Sequence, residues 1–456
     1  MKKILIIGFL EEAKSQLGNV AVFASIIKTL KCYIPDVEIS TDVRLADNFC
    51  KNYGSVNVLH TRALPRYDSI RKLFVSLFNL LRVYLWKFFK SFLYLDINFL
   101  IKGKELKRFI DSDIVLDFNG DIFPSDMHNP VRLLAHVLDV STIRQLEIPV
   151  VEFASSPGPF NTWFTRLISR LVFNNINVFT NREPVSSELL KKIGVNKIPI
   201  VNTACPAFLF KAEPIEKARE ILLKENIDIN KKPLIGITLC GYNLFSQRTW
   251  GKPKNFNDLS FFIPTLKYLL DDLDANVFLL PHVYRTNPYT YTHEFINGPD
   301  YDICFRLFEL VGGEKYKGRL KLIEGKYEAS EAKSIIGQCD MYISGRLHAG
   351  VAALSQAVPT VLVAYGHKHK GFARLLNQEE YVYEDKNPNE LKSLVENAWK
   401  NRRQIKKRLG DRIVFVKELA NLNFIIIKDI IDLDKKERSH VPKHISDRWV
   451  KKGYQP

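Results

Sequence analysis

The segment SGRLHAG, which begins at Ser344, contains side chains that could bind an anion and transfer a proton. A predicted buried strand ends at Ser344, and Gly345 then allows a tight turn or a close approach of the backbone to a ligand. Arg346 provides a planar cation suited to phosphate or carboxylate, and His348 can transfer a proton near neutral pH. A helix is predicted to begin near Leu347 or His348, and helix N-termini favour anions. The spacing therefore predicts a site for phosphate binding and proton transfer.

The next predicted strand, Pro359–Ala364, leads into a loop with four basic or titratable side chains. These are His367, Lys368, His369 and Lys370. Because the carboxyl ends of parallel strands lie at one edge of a sheet, the two lysines are predicted to add positive charge near Arg346 and His348. The alternative is a basic loop that is simply solvated.

The elements that must position these residues follow an alternating pattern. Short apolar runs alternate with helix-length amphipathic stretches, which is typical of βαβ units and parallel sheets. Strands are predicted at Lys3–Ile7, Asp113–Asp117, Pro149–Ala154, Asn177–Thr180 and Ile198–Asn202, and in the second half at Pro233–Cys240, Asn276–Pro281, Leu320–Ile323, Met341–Ser344 and Pro359–Ala364. The predicted fold is α/β, with two Rossmann-like doubly wound domains facing a cleft, as in the glycosyltransferase-B class.

Two domains are expected from the length of the chain. The first is predicted to span residues 1–210 as the acceptor side, with an apolar and basic insertion at 66–104. The second is predicted to span residues 211–456 as the donor side, and the charged segment Lys211–Asn230 is its candidate linker. After Asn387 the sequence predicts helix to about Asp434, with these helices packing back on the first domain, and then a polar, basic tail.

The composition is that of a soluble globular protein with an excess of positive charge. The 456 residues carry a net charge of +16, with 46% hydrophobic and 25% charged residues. The excess attracts polyanions or phosphorylated molecules, or reflects solvated lysine-rich helices. Without zinc-finger spacing or an RNP-like strand, nucleic acid is not an expected partner.

The six cysteines form no C-x-x-C pair, which fits a reduced cytoplasmic compartment. The short apolar run Ile4–Leu10 predicts a strand rather than a signal peptide.

The segment Ser344–Ala349, followed by Pro359, Tyr365 and Lys368, resembles the signature of the polysaccharide pyruvyl transferase family. In that family, the Arg-Leu-His triplet implies binding of phosphoenolpyruvate, with the histidine as the candidate acid. The resemblance therefore implies His348 as a catalytic residue. It implies donor-binding roles for Gly345, Arg346, Leu347, Lys368, Lys370 and Arg182.

Weaker similarities to the same family extend over most of the chain. They include Asp117–Asp121, Ser155–Phe160, Asn181–Glu183 and Pro281-His282. The resemblance implies that Arg182 holds the donor phosphate or carboxylate. Asp117 and Asp121 could orient or deprotonate acceptor hydroxyls, or form only loop and cap hydrogen bonds. Two departures bear on the acceptor: the stretch Gly18–Ala21 lacks the family's acidic residue, and Cys205 replaces an aspartate before Pro206.

The expected reaction transfers pyruvyl from phosphoenolpyruvate to a sugar of a cell-surface or lipid-linked polysaccharide, forming a ketal and releasing phosphate. Phosphoenolpyruvate is the co-substrate, and neither a cofactor nor a metal site is predicted. The first alternative is a nucleotide-sugar glycosyltransferase of the same fold, although the second half lacks the eight-residue glutamate spacing of many such enzymes. The second alternative is a non-catalytic, membrane-associated scaffold.

The most apolar stretch of the chain is Leu73–Ile101. Its charged residues, Arg82, Lys87, Lys90 and Asp96, would be costly at a bilayer centre, so a spanning helix is not expected. Phenylalanine, leucine, one tryptophan and flanking cations favour a helix lying in the interface of an anionic membrane. The alternative is a helical pair buried against the first domain. The expected location is cytoplasmic, with peripheral contact at the inner face of the membrane.

Overall fold

The computed structural model describes residues 1–8, 16–41, 49–58, 69–118, 130–241, 259–286, 295–296, 299–384 and 387–455. The chain divides into two compact units. The first unit comprises Met1–Glu11, Ile26–Cys205 and Leu419–Pro456, and the second comprises Glu12–Ser25 and Pro206–Glu418. The predicted site residue Asp121 lies outside the described residues.

The first unit is built on a parallel sheet of seven strands. The strands are β1 (Lys2–Ile7), β2 (Val37–Thr41), β3 (Asn57–Val58), β4 (Ile114–Asp117), β5 (Val150–Ser155), β6 (Val178–Asn181) and β7 (Ile200–Asn202). Their order is β3-β2-β1-β4-β5-β6-β7. The central strands are apolar runs because helices cover both faces of such a sheet. The sequence predicted β1 and β4 to β7 but not β2 or β3.

Helices connect these strands. They are α1 (Leu17–Tyr33), α2 (Phe49–Tyr53), α3 (Ser69–Phe92), α4 (Lys104–Ile110), α5 (Pro130–Gln145), α6 (Trp163–Phe173) and α7 (Pro184–Lys192). A cluster of fully buried apolar side chains joins sheet and helices, including Leu5, Val115 and Val150 from the strands and Val83 and Phe173 from the helices.

The second unit is built on a parallel sheet of six strands, beside a small antiparallel hairpin. The strands are β8 (Leu234–Thr238), β9 (Asn276–Leu279), β10 (Arg285–Thr286), β11 (Phe295–Ile296), β12 (Leu320–Leu322), β13 (Met341–Ser344), β14 (Thr360–Val363) and β15 (Val382–Tyr383). The main sheet has the order β12-β9-β8-β13-β14-β15, and β10 pairs with β11. Both large sheets are therefore parallel and doubly wound, as the sequence predicted.

The remaining helices are α8 (Ile215–Lys224), α9 (Ile263–Lys267), α10 (Pro299–Leu310), α11 (Ala329–Ile336), α12 (Leu347–Leu354), α13 (His367–Leu375), α14 (Pro388–Asp432), α15 (Lys435–Ser439) and α16 (Lys443–Lys452). The 45-residue helix α14 begins in the second unit and ends in the first. The last residues, including α15 and α16, belong to the first unit.

Two sequence-based expectations differ from the structure. The candidate linker 211–230 contains α8, whose Ile221 and Leu222 are buried in the core of the second unit with Leu234. The expected polar tail after residue 434 instead forms α15 and α16, in which Trp449 is fully buried. The tail prediction was wrong because a high charge content on one helix face does not prevent burial of the other face.

Candidate functional site

The Arg-Leu-His triplet lies where β13 ends and α12 begins. The Gly345 amide donates to the Thr238 carbonyl of the adjacent strand β8 at 2.6 Å, and Arg346 is the N-cap residue of α12. The Ser344 hydroxyl donates to the Arg346 carbonyl at 2.7 Å. The backbone around Arg346 is thereby held at the carboxyl edge of the second sheet, where ligands bind in such folds.

The Arg346 side chain forms a bidentate ion pair with Asp300, in the first turn of α10. Arg346 Nε lies 3.0 Å from Asp300 Oδ2, and Nη2 lies 2.6 Å from Oδ1. The Asp300 side chain is fully buried and that of Arg346 is 12% exposed. Burial works to lower the pKa of Arg346, but the charge and hydrogen bonds of Asp300 outweigh burial and raise it. The pair keeps a buried arginine charged and fixes the plane of its guanidinium group.

His282 follows strand β9 and shares the same carboxylate. Its backbone N–H donates to Asp300 Oδ2 at 3.3 Å. The imidazole is buried, and neither ring nitrogen has a hydrogen-bond partner among the described residues. Burial, followed by the positive charge of Arg346, lowers the pKa of His282 to about 3. The ring is therefore neutral at physiological pH and could form a neutral hydrogen bond with a ligand.

His348 is the second residue of α12 and lies against the start of α1. A Cβ atom placed on Gly18 would lie 2.3 Å from His348 Cβ and 2.7 Å from its Nδ1. Only glycine allows this approach of the α1 backbone to the imidazole. The Leu17 amide donates to the His282 carbonyl at 3.2 Å, so the beginning of α1 touches both histidine residues. Leu347, which lies between Arg346 and His348 in the sequence, is buried.

The two predicted lysines lie in different environments in α13. Lys368 is buried, its Nζ is 4.8 Å from the centroid of the Tyr365 ring, and burial lowers its pKa to about 7. Lys370 is exposed, and its Nζ lies 3.3 Å from Glu384 Oε2. Of the two lysines, only Lys368 therefore adds charge inside the fold, beside the carboxyl end of β14. His369 is also buried, with Nδ1 3.2 Å from the Gly366 carbonyl.

In the first unit, Asp117 is the last residue of β4 and belongs to a buried polar cluster. His136 Nε2, on α5, lies 2.6 Å from Asp117 Oδ2. Glu152 faces Asp117 across the paired strands β4 and β5, and the Ser155 hydroxyl donates to Glu152 Oε1 at 2.5 Å.

Asp117 shifts the pKa values of both of its neighbours. Burial and then the negative charge of Asp117 raise the pKa of Glu152 well above its usual range. Burial acts to lower the pKa of His136, but the charge and hydrogen bond of Asp117 outweigh it and raise the pKa. These shifts favour the neutral form of Glu152 and the protonated form of His136 beside Asp117.

Arg182 follows β6 and is almost fully buried in the first unit. Its Nε donates to the Ser156 hydroxyl at 2.8 Å, and its backbone N–H donates to the Ser155 carbonyl at 3.0 Å. Glu183 caps α7 by accepting from the Ser186 amide at 3.2 Å, and the Ser186 hydroxyl donates to the Pro157 carbonyl at 3.1 Å. These hydrogen bonds join Ser155–Phe160 to the segment that begins at Asn181, and both segments resemble the family.

The structure brings together some predicted site residues and adds others. Gly345, Arg346, Leu347, His348 and Lys368 all lie at the ends of β13 and β14 in the second unit, whereas Asp117 and Arg182 follow β4 and β6 in the first. Sequence reasoning missed Asp300, His136 and Glu152 as parts of these clusters. For Glu152 a signal existed, because it is a lone acid within the apolar run of β5. In the described ranges, no group of three or more His, Cys, Asp or Glu residues is arranged to hold a metal ion.

The two parallel, doubly wound sheets define a protein of the glycosyltransferase-B class. A family model for polysaccharide pyruvyl transferase matches residues 17–367. The chain therefore belongs to the polysaccharide pyruvyl transferase family, as its motifs predicted.

Individual relatives are distant. The amylovoran biosynthesis protein AmsJ of Erwinia amylovora is 22% identical over 279 residues, which cover 60% of this chain and 63% of AmsJ. Among solved structures, HepE of Anabaena in complex with UDP and glucose is similar with a TM-score of 0.56 at 10% identity, covering 95% of this chain and all of HepE. UDP-GlcNAc 2-epimerase from Neisseria meningitidis bound to UDP-GlcNAc has a TM-score of 0.54 at 11% identity, covering 94% of this chain and 98% of the epimerase. These two likenesses establish the fold.

Proposed function

We propose that this protein transfers the pyruvyl group of phosphoenolpyruvate to a sugar of a cell-surface or lipid-linked polysaccharide. The observation that carries the proposal is the triplet Arg346-Leu347-His348 at the start of α12, inside the region that matches the family. In the reaction, the vinyl carbon of the donor is protonated to a methyl group. Two sugar hydroxyls then add to the neighbouring carbon, the bond from that carbon to the phosphate oxygen breaks, and inorganic phosphate leaves. The two hydroxyl protons balance the proton used and the proton taken up by phosphate.

The donor carries a carboxylate and a phosphate, so it needs several cations. Arg346 is held in place by Asp300. Lys368 lies at the end of the adjacent strand, where burial places its pKa at about 7. Together with the N-terminus of α12 they provide positive charge and N–H donors for the donor anion. We assign Arg182 as a further donor-binding residue and Gly345 and Leu347 as the backbone that presents the site. Lys370, which is exposed and whose Nζ lies 3.3 Å from Glu384 Oε2, is also assigned to donor binding.

The proton for the vinyl carbon comes from His348 in this proposal. An imidazole is suited to giving up a proton and taking one back within one turnover, because its ordinary pKa lies close to neutrality. On the acceptor side, Asp117 is the proposed group that orients or activates the hydroxyls. It acts by keeping His136 protonated: the imidazole is 2.6 Å away and less deeply buried than the carboxylate, and as an imidazolium it can donate a hydrogen bond that orients a hydroxyl. Asp121 is a second acceptor-side candidate.

The proposed location is cytoplasmic, at the inner face of the membrane, where a lipid-linked acceptor would be available.

A nucleotide-sugar glycosyltransferase is the second candidate function. It is favoured by the likeness to HepE, whose structure was determined with UDP and glucose. The choice of donor separates the two functions.

The test combines purified protein, phosphoenolpyruvate and a pyruvate-free oligosaccharide prepared from the host's surface glycan. We expect equimolar phosphate release and a product with the mass of a pyruvyl ketal. His348→Gln should lower kcat by about 10²–10⁴-fold, with a much smaller change in KM for phosphoenolpyruvate, because an acid acts mainly in the transition state. The matched control is His444→Gln, the same change at an exposed position of α16. Transfer from a nucleotide sugar without transfer from phosphoenolpyruvate would favour the second candidate, and an unchanged kcat in His348→Gln would remove His348 from the mechanism.

A further inference from the structure

Helix α3 exposes its apolar side instead of burying it. Apolar side chains recur every three or four residues along one face and are all exposed: Ile70, Phe74, Leu77, Phe78, Leu81, Leu85, Phe88 and Phe92. Phe74 is 64% exposed, Phe78 61% and Phe92 73%. The opposite face carries the buried residues Ser76, Asn79 and Val83, and α3 packs on α5. An ordinary surface helix shows the reverse pattern, with its apolar stripe towards the core.

Helix α6 carries a second exposed apolar stripe. Trp163, Leu167 and Leu171, spaced by four residues, are 74%, 45% and 57% exposed. Helix α5 packs against both α3 and α6, so the two exposed stripes lie on helices that share a neighbour in the first unit. We call these two stripes together the apolar face. Exposed apolar patches of this extent on a folded protein indicate an interaction surface.

The charged residues within the two helices are all cations. The 24 residues of α3 include Arg71, Lys72, Arg82, Lys87 and Lys90 and no acidic residue. Helix α6 adds Arg166 and Arg170, also without an acidic residue. Two of these lysines have acidic neighbours: Glu147 Oε1 lies 3.4 Å from Lys87 Nζ, and Asp139 Oδ2 lies 3.9 Å from Lys72 Nζ. Aromatic and aliphatic side chains flanked by cations match the headgroup and acyl boundary of an anionic bilayer.

We propose that the apolar face docks on an anionic lipid bilayer, with α3 lying parallel to the membrane plane. No helix among the described residues is long and apolar enough to cross a membrane. A second copy of this chain is a less suitable occupant, because a symmetric contact would bring the same cations together. The proposal stands independently of the pyruvyl transfer reaction, and it would place the enzyme where a lipid-linked acceptor is presented.

The test measures sedimentation of the full chain with vesicles of phosphatidylglycerol and phosphatidylethanolamine, and with vesicles of phosphatidylcholine alone. We expect binding to the anionic vesicles that high salt weakens, and little binding to the neutral ones. Phe78→Ser with Phe88→Ser should weaken binding at least tenfold, because each phenylalanine buried in lipid contributes roughly 1.5–3 kcal/mol. Lys90→Gln should weaken it by roughly fivefold, from about 1 kcal/mol for an exposed lysine near the surface.

The matched control is Leu223→Ser with Phe305→Ser, which removes two exposed apolar side chains from the second unit. It should bind vesicles like the wild type. Circular dichroism of each variant checks that the fold is retained. Absence of vesicle binding by the wild type overturns the proposal, as does equal binding by the Phe78→Ser, Phe88→Ser variant. A dimer in sedimentation velocity that the same two changes dissociate would identify a second copy as the occupant instead. Since none of these measurements uses turnover, they are not affected if the proposed reaction fails.

Discussion

The guanidinium group of Arg346 is oriented by Asp300 before any donor binds. Both oxygens of the buried carboxylate accept from it, and one of them also accepts from the backbone of His282. Asp300 therefore connects the ends of β9 and β13 and holds the cation in one plane. Removal of Asp300 would leave a buried charge without its main counter-ion, which costs about 3–5 kcal/mol in comparable pairs. Asp300 is for this reason a positioning residue, not a catalytic one.

Lys368 should make stability depend on pH between about 7 and 10. Burial lowers its pKa to about 7, whereas an unfolded chain has a lysine pKa of about 10.4. Between these values the unfolded state binds more protons, so the stability contributed by this site rises with pH. The free energy of unfolding of the wild type should therefore rise by about 2 kcal/mol from pH 7 to 9 relative to Lys368→Met.

Urea unfolding at several pH values measures this difference. The control is Lys370→Met, which removes an exposed lysine two residues away and should leave the pH dependence unchanged. If the curves of the wild type and Lys368→Met run parallel over the whole range, Lys368 is not a buried amine with a lowered pKa. In the proposed function, donor affinity should fall as the pH rises through about 7, because deprotonated Lys368 no longer contributes a positive charge.

At the scale of elements, the predicted site residues of each unit lie where strands pass into helices. Helices α7, α12 and α13 begin within a few residues of the ends of β6, β13 and β14, so that arginine, histidine and lysine side chains lie at helix N-termini. Helix α1 contributes its backbone, since Gly18 lies against His348. The segment Gly18–Ala21 lacks the acidic residue of the family pattern, but the backbone of Gly18 still lies against His348 and limits its position.

Gly18→Ala should reduce turnover by displacing His348. A methyl group at this position would lie 2.3 Å from His348 Cβ, so the helix or the imidazole must move. Misplacement of a catalytic group by about 1 Å can cost 10²-fold, and we expect a loss in kcat of roughly tenfold to hundredfold in the pyruvyl transfer assay. Gly410→Ala is the matched control in α14, where a Cβ meets no atom within 4 Å. It should raise the free energy of unfolding by about 0.5–1 kcal/mol and leave kcat unchanged. Equal kcat values for the two variants would contradict the close approach at Gly18.

At the scale of the molecule, the chain returns to its first unit at the end. Asn423 in α14 donates to the Ala204 carbonyl at 3.0 Å and accepts from the Thr203 hydroxyl at 2.9 Å. Trp449 in α16 donates to Asp429 Oδ2 at 2.7 Å, and the Tyr454 amide donates to the Asn202 carbonyl at 2.8 Å. The first unit is thus composed of segments more than 200 residues apart in sequence, and its stability depends on the last helices.

Trp449→Ala should destabilise the protein by about 3–5 kcal/mol, because it removes a fully buried aromatic side chain and its hydrogen bond. Trp163→Ala removes a tryptophan that is 74% exposed and should change stability by less than about 0.5 kcal/mol. Urea unfolding followed by circular dichroism compares the two variants. Similar unfolding midpoints would show that α16 does not contribute to the core of the first unit.

The amino-acid sequence by itself determined the two parallel sheets and the triplet at α12. Strands such as Met341–Ser344 are continuous apolar runs, which is what burial on both faces of a parallel sheet requires. Gly345, Arg346 and His348 are adjacent in the chain, so a local pattern was enough to predict that they act together. The short edge strand β3 and the less apolar strand β2 lack such a run and were not predicted.

Only the tertiary structure decided which distant residues complete these sites. Asp300 meets Arg346 across 46 residues, and His136 meets Asp117 across 19, through contacts that no local spacing encodes. The tertiary structure also decided which way the apolar side chains of α3 point. The sequence predicted an apolar, cationic helix at Leu73–Ile101 and left open a buried pair or an interfacial helix. Packing against α5 through Ser76, Asn79 and Val83 turns the phenylalanines outward, because the small and polar face fits closely against the neighbouring helix.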